Sequence, residues 1–188
     1  MAGGDCPRVG VGGKLGPMPT LVLDPAPLDS LMESRRRSGL DRLDEVWEGV
    51  YHMVLAPSYG HSRITQQLAE LLRPPARAAG LVPATGGFNL GDSVQDLRVP
   101  DAGLLRPGAD DMWLQTAALV VEIVSPGDES WKKLPYYAAR HVDEVLLVDP
   151  VQRTVHWLAL AGAEYREAQR SGLIDLGPSK LAEQLDWP

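Results

Sequence analysis

Apolar residues recur at helical spacing most clearly after His61. Ile64, Leu68, Leu71 and Leu72 fall three or four apart, on one face of an expected amphipathic helix. Pro57-Ser58-Tyr59-Gly60 supplies the turn before it, and Pro74-Pro75 are expected to interrupt or end it, with residues 77–80 as a last turn. A second pattern is of another kind. Residues 117–124 are almost continuously apolar, as in a strand buried on both faces, and Glu122 is the one charge among them. Ser125-Pro126-Gly127 breaks that strand, and a helix is expected over residues 131–140. Residues 145–148 form a further apolar strand, stopped by Asp149-Pro150. The unit over residues 119–148 is expected to be a right-handed crossover between parallel strands.

Weaker patterns fill the rest. A charged helix is expected over residues 27–42, with Leu28, Leu31 and Met32 on one side. A strand over 49–55 ends at Pro57, and short strands follow at 81–84 and 88–90. Gly91-Asp92-Ser93 marks a turn, and residues 97–105 read as one strand. A hairpin around Gly162 joins residues 154–160 to 164–168, and Ser179 is expected to cap a final helix at 181–185. Residues 1–27, rich in Gly and Pro, read as a flexible leader, and residues 28–188 as a single domain. The order of elements gives an α/β fold: a mixed central β-sheet flanked by helices.

The 188 residues, 44% hydrophobic and 23% charged, suffice for one cored domain. No run of eighteen apolar residues is present, so no membrane span is expected. The first residues lack the basic flank and apolar block of a secretory signal. Cys6 is the sole cysteine, which excludes intramolecular disulfides and thiolate metal clusters, and a cytoplasmic location is expected. The net charge of −7 argues against a passive nucleic-acid coat, whose affinity comes from neutralising phosphates. An enzyme that cuts phosphodiesters can still be acidic, because a carboxylate-held cation supplies the local positive field.

That possibility gives Glu122 its interest. A carboxylate inside an apolar strand is costly unless compensated, by an arginine or amide at the sheet's end or by a metal. Asp101, in Arg98-Val99-Pro100-Asp101, lies in the strand expected to neighbour it; read alone, it is a turn residue after proline. Two carboxylates converging from adjacent strands repel unless a cation lies between them, and such oxygen donors suit Mg2+ or Mn2+. Glu45 and Glu48 precede the expected first strand and form either a solvated turn or further metal-site acids. Lys132 and Lys133 open the helix after Glu122; one at least belongs to a solvated face, while the other could balance charge on a phosphate. His61 either caps its turn or is a candidate phosphate contact. Arg98, Arg106 and Arg140 are further candidates for phosphate, against the ordinary reading of solvated arginines. No zinc finger, basic helix or base-stacking motif is present.

Taken in order, Glu-Val-Trp-Glu-Gly (45–49), Pro-Ser-Tyr-Gly-His (57–61), Val-Pro-Asp (99–101), Val-Val-Glu-Ile-Val-Ser-Pro (120–126), Lys133, Tyr137 and Val-Asp-Pro (148–150) resemble the Uma-two family of putative restriction endonucleases. That family belongs to the PD-(D/E)XK nuclease superfamily. The resemblance covers roughly residues 40–150, with the tail as an extension. It implies a restriction-endonuclease-like core and Mg2+-dependent phosphodiester hydrolysis. Asp101 would supply the "PD" acid, Glu122 the "(D/E)", and Glu45 or Glu48 the helix-borne acid. The lysine expected two residues after Glu122 is replaced by Val124. The family carries its lysine on the following helix, four residues before a tyrosine, which favours Lys133 with Tyr137 over Lys132 with Tyr136. The acid four residues before the lysine is Glu129.

The expected function is thus a metal-dependent DNA endonuclease whose catalytic residues are Asp101, Glu122, Lys133 and Glu45 or Glu48, with metal on Asp101 and Glu122. Cutting both strands would need two sites, which makes a homodimer the expected state. The alternatives are a catalytically degenerate nuclease fold acting as a binding or assembly module, and a hydrolase of small phosphate esters.

Overall fold

The computed structural model describes residues 25–125, 127 and 129–188. The leader expected over residues 1–27 lies outside them, apart from residues 25–27, which open helix α1 (Pro25–Ser38). This helix stops short of the expected residue 42 because Gly39 turns the chain at φ 67°. Strands β1 (Glu45–Trp47) and β2 (Val50–His52) then form a hairpin. Its two turn residues, Glu48 and Gly49, both have positive φ (50° and 84°), as a tight hairpin turn requires. The strand expected over 49–55 is therefore the second arm of a hairpin.

Helix α2 (Tyr59–Ala78) starts where its periodicity predicts, with the Ser58 side chain accepting from the His61 amide. It runs on through Pro74 and Pro75. Leu72 and Ala76, buried on either side of the proline pair, hold the last turns against the sheet. Next come β3 (Val82–Thr85), β4 (Leu90–Ser93), β5 (Asp96–Arg98) and β6 (Ala102–Leu105). The single strand expected over 97–105 is two strands in two sheets, split at Val99-Pro100-Asp101, where Pro100 has no N–H for a ladder. Gly91-Asp92-Ser93 lies within β4 rather than forming a turn; the chain reverses at Val94-Gln95.

Strand β7 (Leu119–Ile123) leads through a 3-10 turn (Ser130–Lys133) into α3 (Leu134–Ala139) and on to β8 (Glu144–Asp149), which runs parallel to β7. The expected hairpin is β9 (Thr154–Ala161) and β10 (Glu164–Glu167). Helix α4 (Pro178–Gln184) has Pro178 in its first turn and Gly177 at its cap, so Ser179 is inside the helix and does not cap it.

The strands form a six-stranded sheet, β10-β9-β8-β7-β6-β3, and a four-stranded sheet, β2-β1-β5-β4. Side chains alternate along β7. Leu119, Val121 and Ile123 join the core under α2 and α4, while Val120 joins the core that holds Tyr137 of α3. Glu122 follows Val120 onto the α3 side. Among the described residues no helix is long and apolar enough to cross a membrane.

Candidate active site

The pairing of β6 with β7 brings the two central acids together. Ala102 lies opposite Val121, so Asp101, one residue earlier, comes level with Glu122 at the end of the sheet. The Ile123 amide donates to Asp101 Oδ2 at 2.8 Å, which fixes the carboxylate beside β7. On its other oxygen, Asp101 Oδ1 lies 3.2 Å from His61 Nε2, at the start of α2. Thr65 Oγ1 donates to the His61 carbonyl at 3.0 Å, one turn further along α2.

Glu45 enters from the four-stranded sheet. Its Oε1 accepts from the Val99 amide at 2.7 Å and its Oε2 from the Trp47 indole at 2.7 Å. Lys133 comes from the 3-10 turn, and its Nζ lies 2.9 Å from Glu45 Oε1 and 3.0 Å from Glu122 Oε1. Tyr137, one helical turn beyond Lys133, donates its hydroxyl to the same Glu122 oxygen. Lys133 thus reaches Glu122 from the 3-10 turn that follows β7. Glu45 and Glu122 side chains are each 4% exposed and Asp101 25%, so Asp101 is the acid that solvent reaches.

The electrostatics follow from this packing. Burial pushes the Glu122 carboxyl up to about 8; Lys133 opposes the rise, and the Asp101 and Glu45 charges add to it. Burial disfavours charge on Lys133 too, but Glu122 and Glu45 more than offset it and hold the ammonium charged above its ordinary range. Burial likewise raises Tyr137, with Glu122 beside it. The donors are carboxylate oxygens, the kind a hard divalent cation takes, and a cation on Glu122 would have to displace the proton that burial favours there. Among the described residues no group of three or more His, Cys, Asp or Glu is close enough to cage an ion. Mg2+ commonly takes one or two carboxylates and completes its shell with water and substrate phosphate, so a site for it need not contain three protein ligands.

Other expected residues fall elsewhere. Glu48 occupies the β1–β2 turn, exposed, with its amide on Asp96 Oδ1 at 3.2 Å; the structure does not bring it to the cluster. Glu45, the acid that does arrive, is on a strand and not a helix. Lys132 is 69% exposed and pairs with Glu129 at 2.6 Å. Glu129 also faces His52 at 3.6 Å. Arg98 is buried between the rings of Trp47 (4.6 Å) and Tyr136 (3.9 Å), with Nη1 on Asp96 at 3.0 Å, which makes it a structural brace. Arg140 stacks on Tyr136 and pairs with Asp92 at 3.3 Å, and Arg106 pairs with Asp143. Trp47 and Tyr137 hold the acids but carry no charge to mark them in the sequence; the four-residue step from Lys133 to Tyr137 is the one signal. A cavity of about 510 Å3, lined by Arg36, Arg42, Asp44, Val46, Tyr51 and Val99 among others, excludes Glu45, Asp101 and Glu122.

Comparison with known proteins agrees with this architecture. A crystal structure of a putative nuclease belonging to DUF820 from Anabaena variabilis superposes with a TM-score of 0.59 at 15% identity, covering 77% of this chain and 92% of that one. The likeness supports a restriction-endonuclease-like fold. A cryo-electron-microscopy structure of a DrdV–DNA complex aligns at 19% identity with a TM-score of 0.35, over 64% of this chain and 10% of that one. No curated protein matches the chain in sequence. Residues 41–184 match the Uma2 family, described as "Putative restriction endonuclease", and the match takes in the C-terminal tail as well as the site. The chain belongs to the Uma2 family.

Proposed function

We propose that the protein is an endonuclease that hydrolyses phosphodiester bonds in DNA, with Mg2+ or Mn2+ held by Asp101 and Glu122. The observation that carries this reading is that Lys133 bridges Glu45 and Glu122 while Asp101, held by the Ile123 amide, lies level with Glu122 at the end of the sheet. When bound, the cation supplies Lewis-acid polarisation of the phosphate and of an attacking water. The chain's own residues do the rest. Asp101, the most exposed of the three acids, meets substrate first, and His61 with the Ile123 amide fixes its orientation. Lys133 stays charged, so it can offer protons in hydrogen bonds to a phosphate gathering negative charge. Glu45 acts through Lys133 and is a positioning residue; Tyr137 holds Glu122 against the ammonium.

The test is cleavage of supercoiled plasmid and of circular single-stranded DNA with Mg2+ or Mn2+. Cutting should stop with EDTA and in Asp101→Ala and Glu122→Ala. Folded variants that cut as well as wild type would sink the reading. One observation favours a second one, a catalytically silent binding module: the Lys133 ammonium already pairs with two of the acids and occupies one oxygen of each. Calorimetric titration that finds no Mn2+ binding up to millimolar concentration would favour that module. Cutting both strands at one place calls for a homodimer, which light scattering would detect.

A further inference from the structure

Nine large apolar side chains are exposed among the described residues, and only two of them are aromatic: Tyr59 (83%) and Trp131 (46%). Scattered exposed aliphatics are ordinary. These two are not scattered. Tyr59 stands two positions before His61, which touches Asp101, and Trp131 two positions before Lys133, which touches Glu45 and Glu122. Two steps of backbone span no more than about 7.6 Å. Tyr59 opens α2, which packs on one face of the six-stranded sheet. Trp131 precedes α3 on the other face, its ring edge-on to His156 at 5.2 Å. Each exposed ring is therefore borne by an element that also delivers a side chain to the acids, one element on each face of the sheet.

The lysines and arginines nearest the acids are committed. Lys133 lies between Glu45 and Glu122, Lys132 on Glu129, Arg98 on Asp96 and Arg140 on Asp92. A duplex is gripped chiefly through phosphates, by lysines and arginines that neutralise them. In a chain of net charge −7, these residues are tied to carboxylates instead. Stacking on aromatic rings needs no net charge and accepts any base, but it requires bases free of a double helix.

We infer that the substrate presents unpaired bases on both sides of the scissile phosphate, a single strand or a single-stranded segment of DNA, stacked on Tyr59 and Trp131. The inference rests on the phosphodiesterase reading, and its test separates the two. Fluorescence anisotropy in EDTA, which blocks cutting, compares labelled oligothymidylate with a duplex of equal length. The single strand should bind about tenfold tighter or better, and Tyr59→Ala and Trp131→Ala should each weaken it about tenfold. Tyr59→Phe should keep most of the affinity. The salt dependence should be shallow, with a log–log slope of about −2 or less in magnitude. Equal affinity for the duplex, or alanine variants that bind like wild type, would overturn the inference. Preferential single-strand binding without any Mn2+-dependent cutting would uphold the stacking surface and reject the nuclease. Duplex cutting as fast as single-strand cutting, undiminished in both alanine variants, would do the reverse.

Discussion

Two carboxylates, Glu45 and Glu122, share one ammonium at 2.9 and 3.0 Å in a place where neither acid is more than 4% exposed. Removing the charge leaves the buried Glu45 carboxylate without its ammonium partner, so Lys133→Met should destabilise the fold by about 3–5 kcal/mol at neutral pH. The loss should shrink in acid, where a protonated carboxyl no longer needs a counter-ion. Urea unfolding at two pH values checks this; a loss that does not depend on pH would mean that Lys133 contributes packing alone. Glu122 itself carries a second pH dependence. Its folded value of about 8 lies above the ordinary 4.5, so the unfolded chain gives up its proton first as pH rises. In the metal-free protein, stability from this group is full below 4.5 and declines between about 4.5 and 8. A cation on Glu122 must displace that proton. Mn2+ affinity should rise with pH until about 8, and binding at neutral pH should release protons, measured by calorimetry in buffers of different ionisation enthalpy. An affinity flat across that window would remove Glu122 from the ligand set.

Strand β6 brings Asp101 beside β7, and it can do so only because its second residue has no side chain. A Cβ on Gly103 would stand 2.6 Å from the Leu119 carbonyl and 2.9 Å from the Phe88 ring. The carbonyl belongs to the neighbouring strand and cannot move without shifting the register that aligns Asp101 with Glu122. Gly103→Ala should therefore cost about 1–3 kcal/mol and reduce cleavage more than its stability loss explains. Denaturant midpoints and specific activity of the folded fraction, taken together, test it. The same element marks how far local pattern goes. Residues 97–105 look like one strand by composition, yet Pro100 divides them between two sheets, which is what lets Glu45 and Asp101 arrive from different directions. In α2 the balance tips the other way. Pro74-Pro75 should end a helix by local rules, but burial of Leu72 and Ala76 keeps it going.

Across the whole molecule, the C-terminal segment closes the core that supports the site. Glu144 on β8 accepts from the Trp157 indole at 2.7 Å, the Ser171 hydroxyl at 2.6 Å and the Gly172 amide at 2.6 Å. Beyond that knot, Ile174, Leu176, Leu181 and Leu185 pack with Ile64 and Leu68 of α2. Deleting residues 173–188 would uncover the face of α2 that holds His61 in place. A truncated chain should lose cooperative thermal unfolding in circular dichroism; one that melts like the full chain would show that the tail is dispensable.

Asp101 and Glu122 were legible as candidates because a lone charge in an apolar run and an acid after proline stand out against their neighbours, and a residue's departure from local pattern is written in the sequence. The α/β order, the hairpin at Gly162 and the start of α2 were legible for the same reason. Which of Glu45 and Glu48 reaches the cluster was not, since Glu48 itself falls in the two-residue positive-φ turn while Glu45 lies in the strand before it. The choice between Lys132 and Lys133, adjacent residues that a 3-10 turn points apart, was legible only through the family's lysine–tyrosine spacing and not from local pattern. Those outcomes depend on residues 45, 101, 122 and 133 meeting across two sheets and a helix. Spacing along the chain encodes the period of an element, whereas contact between distant elements is set by packing, and packing exists only once the tertiary structure has formed.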